Sequence, residues 1–113
     1  MHEYSIVQAL LERVAAEARV RGALAVHRLS IRIGEVSGVE PDLLLSAYDT
    51  FRERTICEDA KLDLHVVAAR WECPACGGAI ERGHALACPI CAVPARLVQG
   101  DEIILDRIEM EVA

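Results

Sequence analysis

Two Cys-Pro-x-Cys turns, Cys73-Pro74-Ala75-Cys76 and Cys88-Pro89-Ile90-Cys91, stand eleven residues apart in this chain. Two thiolates three positions apart converge on one ion when the backbone turns tightly. Proline presets such a turn, and Gly77-Gly78 lets the chain leave it. Four thiolates at about 2.3 Å in a tetrahedron are the donor set of a closed structural zinc site. The stretch from Trp71 to about Leu97 also holds three prolines and three glycines, and its apolar residues, Trp71, Ile80, Leu86, Ile90, Val93 and Leu97, are too few for a core. A segment of this kind folds with its metal, which contributes on the order of 10 kcal/mol. The competing arrangements are a pair of disulfides, a redox dithiol or an iron–sulfur cluster. In a reducing compartment, paired cysteine turns point first to zinc. With Cys73, Cys76, Cys88 and Cys91 all bound, no open position remains for a substrate.

The flanking sequence is patterned for one modest α+β unit. From Ser5 to about Arg21, the residues Ile6, Val7, Leu10, Leu11, Val14, Ala15 and Ala18 fall on one helical face. Ser5 and Gln8 match a capping box, and Gly22 fits just past the helix end. His27 to Ile33 alternates as a half-buried strand, and Gly34 to Gly38 is a loop. Pro41 opens a second helix, which carries Leu44, Ala47, Tyr48 and Phe51 on one face and runs to about Arg54. Leu62, Leu64, Val66 and Ala68 mark a second strand, and Ile103 to Val112 a third. In the third, the apolar parity shifts around Asp106-Arg107, which a β-bulge would accommodate. The expected fold is two helices packed on a three-stranded mixed sheet, with a small zinc-ribbon-like subdomain inserted before the last strand.

Composition excludes some functions. The 18 acidic residues outnumber the 12 basic ones for a formal charge of −6, and no basic cluster is present, which argues against nucleic-acid binding. No apolar run approaches the ~18 residues of a membrane span. The N-terminus lacks the charge and apolar stretch of a signal peptide, so a cytoplasmic location is expected. There is no Ser–His–Asp grouping, no glycine-rich phosphate loop and no paired carboxylates, so no enzyme activity is expected. Glu35, Glu40 and Asp42 fit a solvated loop and a helix N-terminus.

The first residues allow two readings. Met1-His2-Glu3 is either an ordinary frayed end, which on chemistry alone weighs more, or a chelate. In the second case the Met1 amine, the His2 amide nitrogen and the His2 imidazole close two fused rings. That strong, nearly planar field suits Ni(II) or Cu(II). Glu3 completes the set through its amide or carboxylate. His84, between the cysteine pairs, reads first as a surface residue, His65 as solvated, His27 as structural and Cys57 as a small buried hydrophobe.

Taken together, Met1-His2-Glu3-Tyr4-Ser5, the strand Ile31-Arg32-Ile33-Gly34-Glu35-Val36, the paired cysteine turns, Gly100-Asp101-Glu102 and Ile108-Glu109-Met110-Glu111-Val112 resemble the HypA/HybF family of hydrogenase nickel-incorporation proteins. The resemblance spans nearly the whole chain. It implies a nickel metallochaperone that uses Met1, His2 and Glu3 for nickel and Cys73, Cys76, Cys88 and Cys91 for zinc. The partners it implies are the GTPase HypB and the precursor of the nickel–iron hydrogenase large subunit; some members also serve urease maturation. It divides the chain into a nickel-binding α/β domain, 1–69 plus 98–113, and a zinc-binding subdomain, 70–97. The other class open to the sequence is a zinc-ribbon adaptor for protein docking, with no specific nickel site.

Overall fold

The computed structural model describes residues 2–83 and 85–113, with His2 described as backbone alone. Helix α1 (His2–Arg21) leads into strand β1 (Ala23–Gly34), followed by α2 (Pro41–Phe51) and β2 (Lys61–Val67). Three short strands, β3 (Arg70–Glu72), β4 (Ala79–Ile80) and β5 (Arg96–Gln99), precede the long β6 (Ile103–Val112). One sheet has the order β2-β1-β6, with β1 parallel to β2 and antiparallel to β6. The second sheet, β4-β3-β5, is antiparallel, and its connections carry the four paired cysteines. The molecule is elongated, 57 × 27 × 17 Å.

The core lies between the helices and one face of the first sheet. Val7, Leu10 and Val14 of α1 meet Val26, Leu29, Ile31 and Ile33 of β1 and Leu44, Ala47 and Tyr48 of α2. Cys57 and Ala60 close it from the α2–β2 connection. Tyr48 is buried and its hydroxyl donates to the Ala60 carbonyl at 2.8 Å, as does the Arg52 guanidinium at 2.8 Å. A buried phenol needs such a partner, and here the bond also fastens the connection to the helix.

Several boundaries differ from those expected. Helix α1 starts at His2, so Ser5 lies inside the helix and does not cap it. Tertiary packing explains this: Tyr4 sits edge-on against Phe51 with ring centroids 5.2 Å apart, and Glu3 in the first turn favours the positive helix end. The far end matches expectation, with Gly22 at φ +64° donating to the Arg19 carbonyl. Helix α2 stops at Phe51, three residues short of Arg54, whose φ is +63°. Strand β1 begins four residues before His27. Its pairing with β6 skips Leu24 and His27, and these irregularities break the alternation that marks a strand. The shift expected in β6 is present: Ser30 pairs with Arg107 and Ile31 with Leu105, leaving Asp106 as the extra residue. The stretch 71–97, expected to be loop-rich, carries β4 and parts of β3, which begins at Arg70, and of β5, which ends at Gln99.

Candidate metal centre

The two cysteine turns fold alike. In the first, the Gly77 N–H donates to the Cys73 carbonyl at 2.8 Å, and the Cys73 N–H to the Gly78 carbonyl at 2.9 Å. In the second, the Ala92 N–H donates to the Cys88 carbonyl and the Cys88 N–H to the Val93 carbonyl, both at 2.9 Å. Each turn ends in a left-handed residue, Gly77 at φ +73° and Ala92 at φ +58°. The leading sulfur of each is cradled by backbone amides. Cys73 Sγ accepts from Ala75 at 3.3 Å and from Cys76 at 3.4 Å, and Cys88 Sγ accepts from Cys91 at 3.3 Å.

The four sulfurs lie within 4.8 Å of one another, and those of Cys76 and Cys88 are 3.9 Å apart. Zinc–sulfur bonds of about 2.3 Å put the edges of a tetrahedron at about 3.8 Å, near the Cys76–Cys88 separation, so the set suits such an ion with small adjustments. All four cysteines are free of disulfides. Their electrostatics also call for a cation. The amides of Cys76 and Ala75 pull the Cys73 thiol down to about 7, while the Cys76 and Cys73 sulfurs push Cys91 up to about 12. Four thiolates cannot crowd together in ionised form unless a positive charge sits among them. Packing points the same way: among the described residues of 70–99, only Cys73 and Cys88 are buried. A sheet with no buried aliphatic side chain has no core of its own, and a metal such as zinc supplies one.

Glu3 of α1 reaches the start of α2. Its carboxylate Oε2 accepts the N–H of Glu40, the N-cap residue of that helix, at 3.1 Å. Met1, the His2 side chain and His84 lie outside the described residues, so of the expected nickel donors only the Glu3 side chain is described. His27 bonds Glu111 at 3.2 Å, consistent with a structural role, and Cys57 is fully buried, with burial pushing its thiol up.

One residue carries more than was expected of it. Glu35, read as a solvated loop acid, accepts the Ala69 N–H at 2.7 Å and pairs with Arg82. The two partners lie 34 and 47 residues away in sequence, and no local pattern signals them.

With this geometry in place, comparison with known proteins is direct. The family model described as "Hydrogenase/urease nickel incorporation, metallochaperone, hypA" matches residues 1–110. The chain belongs to the HypA family. Among relatives called hydrogenase maturation factor HypA, that of Shewanella oneidensis is 38% identical over 115 residues, covering 100% of this chain and 98% of its own. That of Aquifex aeolicus is 37% identical over 114 residues, covering 99% of each. The solution structure of a HypA protein superposes with TM-score 0.79 at 32% identity, covering 100% of this chain and 98% of the other. The solution structure of the Ni metallochaperone HypA from Helicobacter pylori gives 0.73 at 30% identity, covering 98% of each. The fold is thus the HypA fold, with its helices, mixed three-stranded sheet and cysteine cluster. Among the described residues, no helix is long and apolar enough to cross a membrane.

Proposed function

We propose that the protein is a cytoplasmic nickel metallochaperone that takes up Ni(II) at Met1, His2 and Glu3 and delivers it to the precursor of a nickel–iron hydrogenase large subunit, with HypB as its GTPase partner. The observation that carries this is the family match beginning at residue 1, which includes the Met-His-Glu start. In this proposal zinc at Cys73, Cys76, Cys88 and Cys91 is structural, and the protein catalyses no reaction of its own. Residues 1–69 with 98–113 form the nickel domain and 70–97 the zinc subdomain.

Delivery proceeds by ligand exchange at these residues. Helix geometry supports the donor set, because the first N–H groups of an α-helix have no intrahelical carbonyl. An amide there loses its proton to the metal without breaking a helical bond. The Met1 amine and His2 imidazole must also be unprotonated, with reference values of about 7.7–8.0 and 6.5, so nickel affinity falls from neutral to mildly acid pH.

Competitive nickel titration of untagged, zinc-loaded protein beside His2→Ala tests the proposal, with zinc content followed throughout. One tight nickel site lost only in the variant is expected. Equal, weak binding in both would overturn the proposal and leave a zinc-stabilised docking module.

A further inference from the structure

The two sheets are joined where the chain crosses between them twice, at 67–70 and at 99–103. Both crossings are fastened to the end of β1. The Glu35 N–H donates to the Val67 carbonyl, the Val36 N–H to the Gly100 carbonyl and the Gly34 N–H to the Glu102 carbonyl, each at 2.8 Å. The Gln99 side-chain amide ties the crossings together by donating to the Ala68 carbonyl at 3.1 Å. Two attachment points define an axis and leave rotation about it open. A third point off that axis removes the rotation.

Arg82 is such a point. It lies beyond β4, in the loop between the cysteine pairs, and its guanidinium pairs with the Glu35 carboxylate that also accepts the Ala69 N–H. We propose that Glu35 is a positioning residue that sets the angle between the two sheets, with Arg82 as the third attachment of the cysteine-bearing sheet. The proposal goes beyond the nickel reading and stands without it. The Ala69 amide, and then Arg82, hold the Glu35 carboxyl below the ordinary carboxylate range, so its charge persists through neutral pH. The pair is solvent-exposed, which makes it a modest source of stability and one that salt screens. Its effect is on orientation. The same short loop ends at Glu40, whose N–H bonds Glu3, so the position of the cysteine sheet is passed to the first turn of α1.

Residual dipolar couplings of full-length, zinc-loaded protein test this, compared with Arg82→Ala, Glu35→Gln, Glu35→Ala and Arg82→Lys. In the unmodified protein at low salt, amides of 23–34 and of the second sheet should fit one alignment tensor. In Arg82→Ala and Glu35→Gln that common fit should be lost, with zinc content and thermal midpoint unchanged. Arg82→Lys should restore it at low salt and lose it at high salt. The Ala69 amide separates the two halves of the clamp. Its order parameter should stay near about 0.85 in Glu35→Gln, which keeps an acceptor oxygen, and fall below about 0.6 in Glu35→Ala. A single tensor persisting in both Arg82→Ala and Glu35→Gln would overturn the proposal, as would separate tensors in the unmodified protein.

Discussion

Gly100 passes so close to Ala69 that a β-carbon on the glycine would stand 2.6 Å from the Ala69 Cα. Its φ of +110° is also one that side chains rarely adopt. The contact lies where both crossings between the sheets meet, and Gly34 approaches the same backbone, within 2.6 Å of the Asp101 nitrogen if given a β-carbon. Gly100→Ala should therefore cost about 1–4 kcal/mol, combining the left-handed penalty of about 1–2 with overpacking of about 1–3, less about 0.4–1 that alanine gains by narrowing the unfolded ensemble. Gly22→Ala is the control: its φ is +64°, but nothing lies within 4 Å of the added carbon. It should cost only up to about 1 kcal/mol, the left-handed penalty less what alanine gains by narrowing the unfolded ensemble. Urea unfolding of both zinc-loaded variants measures the difference. Equal losses would show that the crowding at Gly100 relaxes freely.

The open face of the first sheet makes a pH prediction. Arg28, on the central strand, bonds Asp63 of β2 at 2.6 Å and pairs with Glu109 of β6 at 3.3 Å. The Arg28 hydrogen bond holds the Asp63 carboxyl below its ordinary 3.8. A depressed folded value means that the pair's contribution is complete above the unfolded pKa and is lost as pH falls through the folded one. Stability from this pair should be flat across neutral pH and decline only below about 3.9. Carbon-13 titration of the Asp63 carboxyl should give a midpoint below 3.8, moving back up in Arg28→Ala. An unchanged midpoint in that variant would assign the shift to another neighbour.

How much of this was open to the sequence depends on the range of the forces involved. Val7, Leu10, Val14 and Ala18 show α1 because burial on one face imposes a 3.6-residue period, and the bulge at Asp106 shows because it reverses a period of two. The start of β1 is hidden by the same physics, since skipped residues at Leu24 and His27 scramble that period. The early start of α1 is hidden because Phe51, far away in sequence, holds Tyr4. The cysteine centre is legible because two local turns supply all four donors. The Glu35 clamp is not, because its partners come from two distant segments and a lone exposed glutamate has no pattern.

The two cysteine turns are near copies that differ in one strained position. Gly77 and Ala92 both follow the second cysteine of their turn in left-handed backbone, at φ +73° and +58°. Glycine takes that conformation at no steric cost, whereas an L-residue with a β-carbon gives up roughly 1–2 kcal/mol. Part of that gain is offset because glycine also widens the unfolded ensemble, by about 0.4–1 kcal/mol. Ala92→Gly should therefore stabilise the zinc-loaded protein by up to about 1 kcal/mol. Gly77→Ala should destabilise it by a similar amount, since nothing stands within 4 Å of the added carbon and the change is conformational strain alone. Because this segment folds with its metal, the same differences should appear in zinc affinity, measured by competition with a chromogenic chelator. At about 1.4 kcal/mol per tenfold, a gain of about 1 kcal/mol is about fivefold in affinity and sets the upper bound for Ala92→Gly. Weaker zinc binding by Ala92→Gly would show that the alanine methyl packs against the centre strongly enough to outweigh the backbone strain.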